Sequence, residues 1–423
     1  MRGRMPLPMQ DSSAAQRKDL VILGGGLVGM TLALAAARAG ITAHVVEKAD
    51  PADLTADGVD GRASAISSAS WNLFTNIGLG DALKPLGCPI DAIAVTDQNK
   101  PGRIDFRPHE GEAALGRMYA NRDIRLALFE AARHEPNIAW HTGVEAVKRE
   151  RGPHGVAVTL SDGRVLEGSL LVGAEGRRSP TRDEEGIGLV AWDYHHHAIV
   201  TALAHDQPHG NVAWEIFYAA GPFALLPLKD LPDATSSGRC HRSALVWTVP
   251  AKDAKGVMAM SDAMFTAEIA KRMDGMFGGI ELIAQRIAYP LSYQNATRIV
   301  GDRLALVGDA AHGMHPIAGQ GLNLGLRDVG ALVEVLADGM RLGLEAGDAQ
   351  LLKRYENWRA LDTFTTMSVM DGIVRLFGVP GRTASAIRRL GMGAVQRMPV
   401  LKNFFMNEAR GTSGKLPRLL QSA

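Results

Sequence analysis

The sequence predicts an α/β protein whose first domain is discontinuous, with a mixed β-sheet inserted into it and helices at the C-terminus. Three observations predict this. A strand–glycine turn–helix–strand unit opens the chain at Asp19–Glu47, a second strand–glycine turn–helix unit begins at Arg303, and alternating β-branched segments lie between them.

The bulk numbers bound the rest. A chain of 423 residues can bury a large core in two or three domains. Hydrophobic residues at 46% and charged residues at 22% describe an ordinary globular protein. A formal net charge of +1 supplies no field for a nucleic-acid partner. Cys88 and Cys240, far apart, are the only cysteines, so a disulfide framework or cysteine-rich metal site is not expected; a reducing compartment is. Residues 1–18 mix basic, polar and proline residues without the apolar run of a secretory signal, and read as a disordered leader.

The first unit carries Gly24-x-Gly26-x-x-Gly29. Asp19–Gly25 reads as a buried parallel strand, Leu27–Ala39 as a helix stopped by Gly40, and Ile41–Glu47 as a second strand. The uncharged run Leu20–Ala37 approaches membrane-spanning length, but three glycines at its centre favour strand, turn and helix. Gly24 permits a tight turn, Gly26 lets backbone approach a pyrophosphate, and Gly29 permits close helix–strand contact. Glu47, at the strand end, can accept hydrogen bonds from ribose hydroxyls. Glycine clusters also occur in plain turns, and this unit alone does not choose between NAD and FAD.

The second unit, RLALVGD at Arg303–Asp309, continues as Ala310-Ala311-His312 and Pro316-Ile317-Ala318-Gly319-Gln320-Gly321-Leu322-Asn323, then a helical stretch from Leu324. Asp309 can accept hydrogen bonds from a polyol such as a ribityl chain. Gly319 and Gly321 leave N–H groups beside a helix start, which favours negative charge on a reduced flavin by about 0.3–2 kcal/mol.

Together GGGLVG with Glu47, DGRASAIS, GAEGRRS and LVGDAAHGMHPIAGQGLNLGLRD resemble the class A flavoprotein monooxygenases. With WDYHHHAIV, GPFALLPL and YPL, the chain is most similar to the ubiquinone-biosynthesis hydroxylases of the UbiH type, from about Asp19 to the C-terminus. The resemblance implies a Rossmann-like FAD-binding domain formed by 19–180 and 299–343, a substrate sheet at 181–298 and a helical region at 344–423. It implies that Gly24, Gly26, Leu27, Val28, Gly29, Glu47 and Lys48 hold the ADP half of FAD. Arg62 would stand near the pyrophosphate, with Asn121 and Arg125 along the adenosine and ribityl path. Glu175-Gly176 stands where the family usually has Asp-Gly, and Asp309, Pro316, Gly319, Gln320, Gly321, Leu322 and Asn323 would hold the flavin half. The implied reaction is hydroxylation of a polyprenylated phenol through a flavin C4a-hydroperoxide. Its electron donor would be NAD(P)H or a redox protein. Such chemistry needs dryness and positioning more than acid–base side chains, so no catalytic side chain is named. The alternatives are a hydroxylase of a small soluble aromatic acid and a non-catalytic flavin subunit of a biosynthetic complex.

In the insert, Phe217, Phe223 and Leu225 are candidate substrate-wall residues or ordinary core, and Tyr218 or Tyr289 could orient a phenol. The adjacent His195, His196 and His197 alternate faces on a strand and cannot converge on one metal. His312, in a glycine-rich turn, could act as a base, but the resemblance implies that it is mainly structural. After Asp371 come nine Lys or Arg residues and one acid, Glu408, interleaved with bulky apolar residues. That pattern suits either an anionic membrane surface or helices docked with a basic outer face. The expected location is the cytoplasm, with peripheral contact at the inner membrane.

Overall fold

The computed structural model describes residues 16–50, 61–98, 103–314, 319–378, 391, 393 and 395–422. Its first sheet has a parallel centre. Lys18–Leu23 lies between Ala43–Glu47 and Val165–Gly173, with Ile138–Thr142 beyond the former and Leu304–Leu306 beyond the latter. Strands in such a sheet are covered on both faces and must be apolar throughout. Leu20 and Ile22 enter the core beneath the helices Leu27–Arg38, Asn121–Ala132 and Gln320–Arg341. Val21 and Leu23 enter a second core under the hairpin Ala146–Gly152/Gly155–Leu160. The second strand begins at Ala43 rather than Ile41, because the Ile41 N–H donates to the Ala36 carbonyl and closes the preceding helix.

The second sheet runs through Ile287–Ala296, Leu189–His205, His241–Pro250, Gly221–Leu228, Val212–Tyr218, Ala92–Asp97 and Arg103–Phe106. The last two strands come from the N-terminal part of the chain, so the sheets interleave along the sequence. Helices Ala251–Met258 and Asp262–Arg272 cover one face. The other face turns toward the small sheet Ala63–Ser67, Gly116–Ala120, Cys88–Ile90.

Gln320–Arg341 joins the layers. Its buried Leu324, Leu326, Val329, Leu332, Val333 and Leu336 recur at helical spacing, and each contributes about 1.5–3 kcal/mol by leaving water. Ala349–Gly378 packs against it, where Gly339 admits Leu351. Pro399–Arg410 starts with proline in its first turn and ends at Gly411, whose φ is 68°. No helix among the described residues is long and apolar enough to cross a membrane.

Candidate functional site

The glycine turn of the first unit is forced by sterics. Gly24 has φ +104°, and a Cβ there would sit 2.5 Å from the Ala174 carbonyl oxygen. A Cβ on Gly29 would collide with the Gly24 carbonyl oxygen, so the helix lies against the strand only with glycine at that position. Gly26 caps the helix Leu27–Arg38 without any side-chain hydrogen bond, and space around its missing Cβ is open. The first-turn N–H groups are therefore left for a ligand. Glu47 Oε2 accepts from the Gly25 N–H at 2.8 Å and Oε1 from the Ala49 N–H at 2.9 Å. That fixes the carboxylate at the C-terminal end of its strand while each oxygen keeps a lone pair. Lys48 is exposed beside it.

The two units meet through Val28. A Cβ on Gly308 would come within 3.2 Å of the Val28 side chain, and one on Gly325 within 3.0 Å. Both glycines exist because Val28 packs there. Gly319, with φ +63°, precedes Gln320–Arg341 and gives no side-chain cap, and Gly321 has open space where a side chain would be. Asp309 sits on the turn Gly308–Ala310, partly exposed, with Arg177 Nε 3.5 Å from its carboxylate.

These features fit FAD: two uncapped helix starts, open glycines at 26, 176 and 321, and two strand-end acids, Glu47 and Asp309. Trp140 adds to the fit. A Cβ on Gly25 would meet Glu47 and Trp140, and the buried Trp140 Nε1 has no hydrogen-bond partner among the described residues. Sequence reasoning missed Trp140, whose only signal was its place on a strand parallel to Ala43–Glu47.

Arg62 and Asn121 are neighbours: the Asn121 N–H donates to the Arg62 carbonyl, and Ser64 Oγ donates to Asn121 Oδ1 at 2.7 Å. Arg125 lies one turn along the same helix. The Glu175 side chain is taken up internally. It pairs with Arg149 at 3.2 Å and accepts from Ser179 Oγ at 2.6 Å, while the Ala174–Glu175 backbone abuts Gly24. Asn323 is likewise engaged: it accepts from the Ser67 N–H and donates to the Ala65 and Gly319 carbonyls, binding the strand Ala63–Ser67 to the helix start. Gln320 is buried and Leu322 packs partly against the main core. Pro316 falls outside the described residues. His312 Nε2 lies 2.7 Å from Asp328 Oδ2, both buried.

For Phe223 and Leu225 the packing is that of ordinary core, and Tyr218 lies on the same face. Phe223, Leu225 and Tyr218 face the covering helices, packed with Trp247, Phe265 and Ile269, and Tyr218 donates its hydroxyl to the Arg272 carbonyl at 2.8 Å. The reason is strand alternation: each is in register with, or two residues from, a residue on the helix-covered face. Phe217 points the other way, against Met314, Leu324 and Met367. Tyr289 is exposed on Ile287–Ala296, separated from the strand of Phe217 by three others. Glu215, also missed, shares the face of Phe217.

Comparison with known proteins agrees with this geometry. The model of an FAD binding domain family matches residues 17–365. The chain is 40% identical to ubiquinone hydroxylase UbiL of Rhodospirillum rubrum, over 97% of this chain and 94% of that one. It is 33% identical to 3-demethoxyubiquinol 3-hydroxylase of Escherichia coli, over 94% of this chain and 99% of that one. Among solved structures, p-nitrophenol 4-monooxygenase PnpA of Pseudomonas putida shares the fold, with a TM-score of 0.75 at 17% identity, over 94% of this chain and 99% of that one. The chain therefore belongs to the FAD-dependent class A flavoprotein monooxygenases, in the branch of the ubiquinone-biosynthesis hydroxylases.

Proposed function

We propose that this protein hydroxylates the aromatic ring of a polyprenylated phenol in ubiquinone biosynthesis, using molecular oxygen and electrons from NAD(P)H or a redox protein. The observation that carries the reading is the meeting of Val28 with Gly308 and Gly325. It brings two uncapped helix starts to one space, opposite a sheet face whose other side is sealed by helices.

Gly24, Gly26, Gly29 and Glu47 hold the adenosine and pyrophosphate end, while Asp309 and Gly319–Leu322 hold the ring end. Bound FAD supplies the redox and oxygen-activating chemistry that side chains lack. The protein excludes water with Phe217, Met314, Leu324 and Met367. Purified protein supplied with a reductant, isotopically labelled dioxygen and a prenylated phenol is expected to yield a product carrying one labelled hydroxyl, read by mass spectrometry. Colourless folded protein that takes up no FAD is the result that overturns the reading.

We infer further that the C-terminal helices meet an anionic membrane surface, where a prenylated substrate resides. Leu361 and Phe364 on one helix, and Val400 and Phe404 on another, are large apolar side chains left exposed.

A further inference from the structure

On the strand Val212–Tyr218, Ala213, Glu215 and Phe217 face away from the covering helices, by the alternation that turns Trp214, Ile216 and Tyr218 toward them. The neighbours of Glu215 locate that face. Ala213 packs in the cluster that takes in Ala63 and Ala65. Ala65 in turn is where a Cβ on Gly319 would strike, at 2.9 Å. Phe217, on the other side, packs against Leu324 and Met314. Glu215 thus lies between Phe217, which packs on the first turn of the helix that holds the flavin end of the site, and Ala213, whose cluster adjoins the strand against that helix start.

Its cross-strand neighbours on this face are Val95 and Ala224, with Val246 beyond, all apolar. Glu215 is partly buried, and its carboxyl lies deep among these apolar neighbours. Asp97 and Arg242 lie toward opposite ends of the same face, while the facing strand Ala63–Ser67 and helix turn Gln320–Leu324 carry no ionisable side chain. The C-terminal helices bring Asp371, held by Tyr194 and Arg375, and the buried Glu408. None of these groups shifts Glu215; burial alone pushes its carboxyl up to about 8. An interior carboxyl without a charged partner is costly to keep, which marks it as serving a ligand rather than the fold.

We propose that Glu215 is a catalytic residue: its carboxylate accepts the hydrogen bond of the substrate's phenolic hydroxyl and takes its proton. The O–H bond breaks, its electron pair stays on the phenolic oxygen, and the ring becomes more nucleophilic. As the hydroxylated ring regains aromaticity its displaced ring hydrogen leaves as a proton, and Glu215 returns a proton to the phenolic oxygen. The inference rests on the phenol reading above. The acid–base match supports it, because a phenol loses its proton near 10, and a base near 8 lies closer to it than an ordinary carboxylate at about 4.3. A carboxylate-bearing substrate, by contrast, would meet like charge there.

The test uses the full-length FAD-loaded protein and its Glu215→Gln variant, with 2-prenylphenol as the probe. Flavin content and melting temperature verify that the variant folds. Glu215→Gln is expected to lower kcat by about 100-fold with KM changed less than about threefold. It is also expected to abolish the rise of kcat with pH through the range near 8 and the phenolate difference spectrum of probe bound to oxidised enzyme. Glu215→Asp should recover part of both. A variant that keeps wild-type kcat, pH profile and phenolate signal overturns the role of Glu215 while leaving the hydroxylase reading intact. A wild-type protein that holds FAD but neither binds nor hydroxylates the phenol overturns the substrate reading, and this inference with it.

Discussion

His312 and Asp328 form a buried pair, Nε2 to Oδ2 at 2.7 Å, and the second oxygen of Asp328 accepts from Arg359 Nε, also at 2.7 Å. The Gly308 N–H donates to Asp328 as well, at 2.9 Å. Arg359 and Arg327 both reach Asp362, and Arg327 donates to the Gly411 and Ser413 carbonyls. One carboxylate thereby ties the flavin-side turn to the long C-terminal helix, and its neighbours continue the tie into the tail. Burial pushes the Asp328 carboxyl up, but His312 and Arg359 outweigh it and hold the group below the usual carboxylate range.

Asp328→Ala leaves Arg359 buried without its main counter-charge, and loss of one partner of a buried pair costs about 3–5 kcal/mol. Denaturant titration is expected to show a destabilisation of that order, with flavin content falling alongside. A variant as stable as wild type would mean that the network contributes nothing to the fold.

Gly29→Ala tests the first turn. The added methyl collides with the Gly24 carbonyl oxygen, which is backbone and cannot rotate aside, so helix and strand must separate. The purified variant is expected to carry little or no flavin, read from the ratio of visible to ultraviolet absorbance. Gly26→Ala meets open space in the protein and is expected to fold, yet its methyl stands where the pyrophosphate approaches, so it too should bind FAD weakly.

Glu47→Ala removes a carboxylate that bridges the Gly25 and Ala49 N–H groups. Charged hydrogen bonds are worth about 1.5–3 kcal/mol, so FAD affinity is expected to fall by about 10–100-fold in fluorescence titration. An unchanged Kd would remove Glu47 from the ribose site.

These glycines and acids were legible in the sequence because turn chemistry is local: Gly24, Gly26 and Gly29 act within one turn, and Glu47 ends the next strand. The faces of the inserted sheet were not. Phe217 and Phe223 cannot be assigned from the strand pattern alone, since both rows carry bulky apolar side chains and only the helices 251–272 decide which is sealed. Glu175 is taken by Arg149 on a different strand, and Asn323 by a strand far away in the chain. Glu215 looked like any strand carboxylate until its enclosure was visible.

Acid should weaken the fold. Burial lowers His44, His141 and His205 each to about 4; the backbone carbonyl of Gln16 partly opposes this at His44, as that of Gln207 does at His205, while His44 adds to it at His141. Between pH 6.5 and 4 the unfolded chain binds these protons and the folded chain does not, so their stabilisation, complete above 6.5, is lost as pH falls through this window. Glu215 acts oppositely, since its raised carboxyl is protonated first in the folded state, leaving a net uptake of about two protons on unfolding near pH 5.5. The denaturation midpoint is expected to fall from pH 7 to pH 5, and a His44→Gln/His141→Gln double variant should show a flatter profile. A midpoint that rises on acidification contradicts these shifts.

The membrane contact needs point variants rather than truncation. Asn72 and Asn76 donate to the Leu420, Leu419 and Gln421 carbonyls, Leu420 fills the space over Gly330, and Arg418 binds Glu334 and Asp338. Removing the tail would unravel this packing and confuse folding with binding. Arg410 is paired with Glu112, Arg375 with Asp371, and Lys415 lies over Trp358, so several of the basic residues already serve the fold. The apolar side chains are the better probe. Val400 is 79% and Phe404 41% exposed, on a helix whose other side carries the buried Met406. A Val400→Asp/Phe404→Asp variant should keep its flavin and melting temperature but sediment poorly with anionic liposomes, whereas the wild type co-sediments. Equal sedimentation of the two proteins would show that this helix does not face the bilayer.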